Sequence, residues 1–239
     1  MNDVCFYGVG VGPGDPELIT LKALRAIQQA DAVIYLTNNE GVSYARNVVS
    51  DHLADTQSGQ IEYPIIIPMN LDRREANKAY DAAAQVISTC LDTGKSVVFL
   101  CEGDPLFFAS FAYLLERLGD KYPCKTIPGI CSINAASAAI QSPLVMLSES
   151  LAVISARHSD KKILNTLEHY DSVVILKVGA ARERLLNLIN KSGRAGDAQY
   201  LEYISGKKQK IVKNIFDLSP ESGPYFSLFL LTRAQRNTQ

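Results

Sequence analysis

Hydrophobic positions in this chain alternate between short continuous runs and longer stretches with a helical period. Residues 4–9, 32–36 and 97–101 are apolar runs of strand length, whereas residues 17–30 place leucine and isoleucine on one helical face. The other elements predicted up to residue 140 are helices at 46–52, 73–91, 106–118 and 132–140, and strands at 61–67 and 125–127. This alternation predicts a largely parallel sheet with helices on its faces.

Hydrophobic and polar residues mix more closely in the second half of the chain, which favours a mixed sheet with some antiparallel pairing. The predicted strands here are 151–155, 173–176, 199–203 and 226–231, and the predicted helices are 159–168 and 182–191. We therefore expect two α/β domains, residues 1–119 and 120–239. No Pro-, Ser- or Gly-rich linker separates them, so the two halves are expected to pack tightly.

Composition narrows the class of protein. The chain has 239 residues, of which 47% are hydrophobic and 21% charged, and this excludes an intrinsically disordered protein. No apolar run approaches the roughly 18 residues of a membrane span, and the N-terminus lacks the pattern of a secretion signal. The net charge of −1 gives no overall field for nucleic acid or an anionic membrane, so local Arg and Lys must meet any anionic ligand.

The cysteine and histidine positions predict neither a disulfide framework nor a metal site. The five cysteines include no Cys-x-x-Cys pair, and together with the three histidines they show no zinc-ligand spacing. With no secretion signal, a reducing cytoplasm is the expected location.

A glycine-rich loop at residues 8–16 follows the first predicted strand. It is not a dinucleotide fingerprint, because Pro13 and Asp15 stand where G-x-G-x-x-G would need glycine. The glycines allow a ligand to approach the backbone closely, while Asp15 suits a helix N-cap and Pro16 the first helical position.

Other predicted strands are also followed by loops that contain glycine. Residues 102–105 read Glu-Gly-Asp-Pro, residues 128–132 read Pro-Gly-Ile-Cys-Ser, and loops at 177–179 and 203–206 occur in the second half. Because α/β folds bind ligands at the carboxyl ends of parallel strands, these loops are expected to line one cleft. No nucleophile–base pair, P-loop or metalloprotease motif is present, which favours a reaction driven by positioning. No catalytic side chain is assigned.

At these loops the sequence resembles the tetrapyrrole methylases, S-adenosylmethionine-dependent enzymes of cobalamin and sirohaem biosynthesis. The resemblance rests on residues 10–22, 102–107, 127–132 and 200–212 and extends from Val4 to about Arg233. The most similar branch is the precorrin-2 or cobalt-factor II C20-methyltransferases, through residues 67–69, 103–118, 151–154 and 225–228. The resemblance implies methylation of C-20 of such a reduced tetrapyrrole in cobalamin biosynthesis, giving precorrin-3A or cobalt-factor III.

The chain departs from the family pattern at three places. Cys131 stands where the third signature usually has Thr, and Leu36 stands where the sirohaem branch has Asp, which argues against uroporphyrinogen III as substrate. The helix after Gly-Asp-Pro lacks the hydroxyl groups that the C20 branch tends to carry. The residues there are Phe108, Ala109, Phe111 and Ala112.

The resemblance implies a kinked S-adenosylmethionine bound in the cleft between the two domains and a homodimeric assembly. The positions that match the family's cofactor contacts are Pro13, Gly103, Asp104, Phe107, Cys131, Ser132, Val178 and Ile204. Asp104 has the alternative role of a helix cap. Candidate partners for the substrate carboxylates are Arg46, Arg73, Arg74, Arg157, Lys177 and Arg182. The alternatives are a family member with another ring position or a protein or RNA acceptor, and a cofactor-binding module without turnover.

Overall fold

The computed structural model describes residues 4–54, 59–67 and 73–233, and in it the chain forms two compact units, Met1–Cys131 and Ser132–Gln239. The sequence predicted the division at residue 119. The difference arises from the strand Cys124–Ile127, which pairs in parallel with the first strand of the chain and so belongs to unit 1. The structure therefore divides the chain between Cys131 and Ser132.

Unit 1 contains a parallel five-stranded sheet in the order β3-β2-β4-β1-β5. Its strands are β1 Phe6–Gly10, β2 Ala32–Thr37, β3 Ile61–Ile66, β4 Val97–Cys101 and β5 Cys124–Ile127. Its helices are α1 Leu21–Gln29, α2 Tyr44–Val48, α3 Ser50–Ala54, α4 Arg73–Asp92 and α5 Phe111–Leu118. The apolar strands β1 and β4 are fully buried, because α1 to α3 cover one face of the sheet and α4 and α5 the other.

Three predicted helices of unit 1 begin or divide differently in the structure. A short 3-10 turn at Pro16–Leu18, capped by Asp15, precedes α1. Helix α1 begins after its N-cap Thr20, whose hydroxyl accepts a hydrogen bond from the Ala23 N–H. The predicted helix at 46–52 is two short helices, α2 and α3. The helix predicted from residue 106 starts at Phe111, because Phe108 adopts a left-handed φ of 55° that no α-helix contains.

Unit 2 contains a mixed five-stranded sheet in the order β6-β7-β10-β8-β9. Its strands are β6 Leu151–Ser155, β7 Ser172–Leu176, β8 Ala198–Glu202, β9 Lys210–Val212 and β10 Ser227–Thr232, and its helices are α6 Ser132–Ile140, α7 Asp160–His169 and α8 Arg182–Lys191. Strands β6 and β7 are parallel and the other pairs antiparallel, which confirms the prediction of a parallel first sheet and a mixed second sheet. The sequence missed β9, a three-residue strand that begins with an exposed lysine.

Helices α7 and α8 pack on one face of the second sheet, and α6 packs on the other. No helix within the described ranges is long and apolar enough to cross a membrane. The same part of the chain brings together no three His, Cys, Asp or Glu side chains that could hold a metal ion.

Candidate functional site

The carboxyl ends of β1, β4 and β5 meet backbone against backbone in unit 1. A Cβ atom added to Gly129 would lie 2.0 Å from the carbonyl oxygen of Gly103, and one added to Gly10 would lie 2.4 Å from the same oxygen. No side chain fits at either position, so glycine is required at both. Gly103 is different, because its Cβ would have no neighbour closer than 3.8 Å. Only the space at its own Cβ position is uncrowded, because its carbonyl oxygen is packed against Gly10 and Gly129.

Backbone hydrogen bonds hold the first two of these loops together. The Gly103 N–H donates to the carbonyl of Gly12 over 2.8 Å, and the Val11 N–H donates to the carbonyl of Cys101 over 2.9 Å. Gly103 has a φ of +65°, in the left-handed region that favours glycine. Pro13, the residue after Gly12, is buried, and its carbonyl accepts a hydrogen bond from the Tyr44 hydroxyl over 3.3 Å.

The Asp104 carboxylate connects the second loop to the third. One oxygen accepts the Leu106 N–H over 2.9 Å, which caps the turn that Asp104 itself begins. The other oxygen accepts the Gly129 N–H over 3.2 Å. Asp104 therefore caps a turn and not helix α5, which begins only at Phe111, and its side chain also fixes the position of the loop after β5.

Phe107 and Cys131 supply the apolar part of this rim. Phe107 is half-buried and meets Phe108 edge to face, with 5.1 Å between the ring centroids. Cys131 is half-buried, and burial together with the charge of Asp104 raises the pKa of its thiol. Unit 1 thus brings Pro13, Gly103, Asp104 and Cys131 to one edge of its sheet, whereas Ser132 is the first residue of α6 in unit 2.

Glu102, the last residue before Gly103, was not selected from the sequence although the Glu-Gly-Asp-Pro segment contains it. It is half-buried, and removal from water raises the pKa of its carboxyl group. Hydrogen bonds from its own N–H and from the N–H of Ala45 act in the opposite direction by stabilising the charged form. A carboxyl group with a raised pKa therefore stands at the end of β4.

The corresponding edge of unit 2 carries strained backbone. Lys177 directly follows β7 with a φ of 60°, and Tyr203 directly follows β8 with a φ of 47°. Left-handed conformations of non-glycine residues cost free energy and cluster at functional sites. The residues that follow Lys177 and Tyr203 are buried in the core, since Val178 is 0% exposed and Ile204 is 5% exposed. These two predicted cofactor contacts present almost no surface to a ligand and stay predictions.

Two of the six predicted carboxylate partners are already paired with acidic side chains. The Arg46 guanidinium binds Glu62 through two hydrogen bonds, of 3.1 Å and 3.2 Å, beside an open pocket of about 530 Å³ that Tyr35 also lines. The guanidinium hydrogen bond lowers the pKa of the Glu62 carboxyl. The phenol of Tyr35 has a raised pKa because of burial and because Glu62 is close.

Arg182 is buried and is satisfied inside unit 2. It donates to the backbone carbonyl of Glu221, its guanidinium lies 3.5 Å from the carboxylate of Glu202, and it stacks 5.2 Å from the ring centroid of Tyr200. Burial raises the pKa of the Tyr200 phenol to about 12. These contacts make Arg182 a structural residue that lines a groove of about 600 Å³, and they leave its guanidinium little capacity for a substrate carboxylate.

Of the remaining four basic residues, Arg74 is exposed in the first turn of α4, and the side chain of Arg73 lies outside the described residues. Arg157 and Lys177 both follow strands of unit 2 at the same edge of its sheet. Burial and the positive charge of Arg157 lower the pKa of the Lys177 ammonium group.

The residues between positions 108 and 112 that lack the hydroxyl groups of the C20 branch lie in different environments. Phe111 is 0% exposed and packs 5.3 Å from Phe6 between ring centroids. Its ring also lies against Gly8, where an added Cβ would be only 2.6 Å away. Ala109 packs against the same cluster, whereas Phe108 is 45% exposed. The loss of a hydroxyl at position 111 therefore concerns the core, and the change at 108 concerns the surface of the loop.

Comparison with known proteins agrees with this geometry. The family described as Tetrapyrrole (Corrin/Porphyrin) Methylases matches residues 5–218 of the chain. A cobalamin biosynthesis protein CobIJ of Mycobacterium tuberculosis is 35% identical over 96% of this chain and 46% of that protein. The precorrin-2 C(20)-methyltransferase of a Sinorhizobium species is 31% identical over 94% of this chain and 93% of its own. The cobalt-precorrin-2 C(20)-methyltransferase of Salmonella typhimurium is 27% identical over 95% of each chain.

Solved structures share the fold at low sequence identity. A cobalt precorrin-4 methyltransferase, CbiF, superposes with a TM-score of 0.74 at 20% identity and covers 96% of this chain and 95% of its own. A uroporphyrin-III C-methyl transferase of Thermus thermophilus, solved with S-adenosylhomocysteine, has a TM-score of 0.65 at 23% identity and covers 95% and 97%. The chain spans about half the length of the CobIJ relatives and nearly the whole length of the C(20)-methyltransferases. The family match over residues 5–218, together with the strand-end loops that pack at Gly10, Gly103 and Gly129, shows that the chain belongs to the tetrapyrrole methylases.

Proposed function

We propose that this chain transfers a methyl group from S-adenosylmethionine to C-20 of precorrin-2 or cobalt-factor II. The observation that carries the proposal is the junction of three strand-end loops at Gly10, Gly103 and Gly129, built from the segments in which the sequence resembles the family. The near-full-length similarity to proteins named C(20)-methyltransferases supports the choice of acceptor. The proposal covers only the half of the CobIJ relatives that this chain matches.

The residues of unit 1 fit a cofactor of this type. S-adenosylmethionine, when bound, supplies an electrophilic methyl group on a sulfonium centre. Gly103 closes the junction of the loops through its N–H and carbonyl groups, and Phe107 and Cys131 offer half-buried apolar surface beside it. Asp104 acts indirectly, because its carboxylate is already bonded to Leu106 and Gly129 and thereby fixes the two loops. Positioning and exclusion of water are then the main contributions of the protein.

The nucleophile is the electron-rich ring carbon of the substrate, so we infer that no single side chain is indispensable as a base. An alanine scan of the described rim residues tests this inference. One variant that binds both ligands with normal affinity and yet has no turnover would contradict it.

The first experiment is calorimetric titration with S-adenosylhomocysteine, followed by transfer of labelled methyl to precorrin-2 or cobalt-factor II. Binding followed by transfer to C-20 would support the proposal and show which form of the ring is used. Binding without transfer to either ring would leave another acceptor of the family, or a cofactor-binding module without turnover. Absence of binding would refute the proposal.

A thiol-labelling experiment locates the cofactor. Cys131 and Cys124 are both half-buried, and burial raises the pKa of both thiols, so Cys124 serves as the control for Cys131. Only Cys131 lies in a loop of the proposed site. S-adenosylhomocysteine is expected to slow alkylation of Cys131 and to leave Cys124 unchanged, as measured by mass spectrometry of the peptides. Equal protection of both thiols, or of neither, would argue against this placement.

We also propose a homodimer in the cytoplasm, as expected from the sequence. Light scattering of the purified chain is expected to give about twice the 26.2 kDa of one copy. A mass of one copy at micromolar concentration would contradict the dimer.

A further inference from the structure

The segment between β4 and α5 exposes two large apolar side chains at the carboxyl edge of the first sheet. It begins directly after β4 and ends at Phe111, the first residue of α5. Leu106 is 55% exposed and Phe108 is 45% exposed, whereas every other residue from 102 to 110 is half-buried or buried. Leu106 and Phe108 are therefore the side chains of this segment that present most of their apolar surface to the outside.

Hydrogen bonds hold this segment at both ends. The Asp104 carboxylate accepts the Leu106 N–H over 2.9 Å, and the Asp104 carbonyl accepts the Phe107 N–H over 3.3 Å. At the other end, the hydroxyl groups of Ser110 and Tyr80 lie 2.8 Å apart. The exposed side chains are thus presented by an ordered backbone, and such preorganisation reduces the entropy that is lost when a ligand binds.

Phe108 has a backbone conformation that bulky residues disfavour. Its φ of 55° lies in the left-handed region, and this conformation costs free energy. Burial of the ring does not offset that cost, because Phe108 stays exposed while the nearby Phe111 is fully buried. The edge-to-face contact with Phe107, at 5.1 Å between the ring centroids, orients the Phe108 ring. Strained residues that are held in place in this way cluster at ligand sites.

The size of the exposed apolar area fits a small flat ligand and not a protein partner. A large aromatic side chain has about 150–250 Å² of surface, so the exposed fractions of Leu106 and Phe108 amount to roughly 200 Å² together. A stable protein interface takes about 800 Å² from each partner. One face of a conjugated ring needs no more than two neighbouring apolar side chains, and aromatic side chains pack on such rings by stacking or by edge contact.

We propose that Leu106 and Phe108 form a contact surface for the conjugated ring of the tetrapyrrole substrate, with Phe108 as a specificity-determining residue. This inference rests on the proposed function and concerns the apolar face of the ring instead of its acid groups. The segment starts at the junction of Gly10, Gly103 and Gly129, so a ring in contact with it lies beside the loops proposed to hold the cofactor. Phe108 has no hydroxyl group, so its contact with the ring is apolar.

Alanine variants of the intact chain test this surface. Leu106→Ala and Phe108→Ala are each expected to raise the KM for precorrin-2 or cobalt-factor II about 3- to 10-fold, the range for loss of one apolar or aromatic contact. The Kd for S-adenosylhomocysteine is expected to stay within about twofold of the wild type, which shows that the loops are intact. Phe108→Tyr keeps the aromatic ring and is expected to keep KM within about twofold. Phe216→Ala removes a phenylalanine that is 70% exposed on a 3-10 turn of unit 2 and serves as the matched control.

The outcomes separate this inference from the proposed function. If the wild type transfers methyl to C-20 and neither Leu106→Ala nor Phe108→Ala raises KM above that of Phe216→Ala, the contact surface is refuted and the proposed function stands. If the wild type transfers no methyl, the proposed function fails, and fluorescence titration with uroporphyrin decides. Weaker uroporphyrin binding by Phe108→Ala than by Phe216→Ala would still support the surface, and equal binding would overturn it.

Light scattering tests the other possible occupant of this surface, a second copy of the chain. Phe108→Ala is expected to have the same mass in solution as the wild type. A lower mass for Phe108→Ala, with a wild-type mass for Phe216→Ala, would show that the segment is an interface between copies and would overturn the proposal.

Discussion

Gly129→Ala places one methyl group at the closest contact between the loops of unit 1. The new Cβ would lie 2.0 Å from the Gly103 carbonyl oxygen and 2.8 Å from the Gly10 Cα, and real Cβ contacts essentially never fall below 3.0 Å. The loops must therefore separate by at least about 1 Å, and the atoms that must move are backbone atoms at the ends of β1 and β4. Overpacking of a tight contact lowers the free energy of unfolding by about 1–3 kcal/mol. Because the neighbouring atoms here belong to the backbone and cannot move easily, we expect Gly129→Ala to lose about 3 kcal/mol or more.

Denaturant unfolding and calorimetry with S-adenosylhomocysteine measure the two consequences of Gly129→Ala. The free energy of unfolding is expected to fall by the amount above, and cofactor affinity is expected to fall at least about tenfold because the site is positioned by these loops. Gly196→Ala is the control, since its Cβ would meet nothing within 4 Å and its φ is not left-handed. That variant is expected to be neutral or more stable by about 0.4–1 kcal/mol. Wild-type stability and affinity in Gly129→Ala would refute the close packing of the three loops.

Three further variants test individual contacts. Asp104→Ala removes the acceptor for the N–H groups of Leu106 and Gly129, and thermal unfolding should show a loss of about 1–3 kcal/mol; an unchanged melting temperature would contradict these hydrogen bonds. The raised pKa of Glu102 means that the folded chain binds the carboxyl proton more tightly than the unfolded chain does. This proton therefore stabilises the fold at low pH, and that stabilisation is lost as the pH rises through the raised pKa. Glu102→Gln should accordingly melt above the wild type at neutral pH and converge with it below the ordinary value of 4.5, whereas a pH-independent difference would argue against the shift. Arg182→Met leaves the Glu202 carboxylate, whose side chain is only 13% exposed, without its partner and should lose about 3 kcal/mol in denaturant unfolding. Wild-type stability would show that the pair contributes nothing.

Regular elements with sharp chemical boundaries were predictable from the sequence. The predicted ends of β4, α6, β6 and α8 coincide with those of the structure. Each is a continuous apolar run or a clear helical period that stops at a change of composition, so local pattern and tertiary packing agree. The segment before α5 was not predictable in this way, because its apolar residues continue a helical pattern that the left-handed Phe108 interrupts.

The strand-end loops were identified from the sequence, but the roles of individual residues in them were not. Gly10 and Gly129 were recognised as loop glycines, and only the approach of the Gly103 carbonyl explains why each must be glycine. Val178 and Ile204 were predicted as cofactor contacts from the family resemblance, yet both side chains belong to buried clusters of unit 2. A motif locates a loop along the chain, and the direction of each side chain depends on the packing around it.

The sequence by itself determined the alternation of strands and helices, the family and the loops at which its chemistry is expected, because these depend on local periodicity and on contiguous motifs. Only the tertiary structure showed that Arg46 and Arg182 have acidic partners. Arg46 and Glu62 are brought together by the folding of β3 beside α2, and Arg182 and Glu202 by the second sheet. Such pairings join residues distant in the chain, and their geometry is fixed by strand register and core packing.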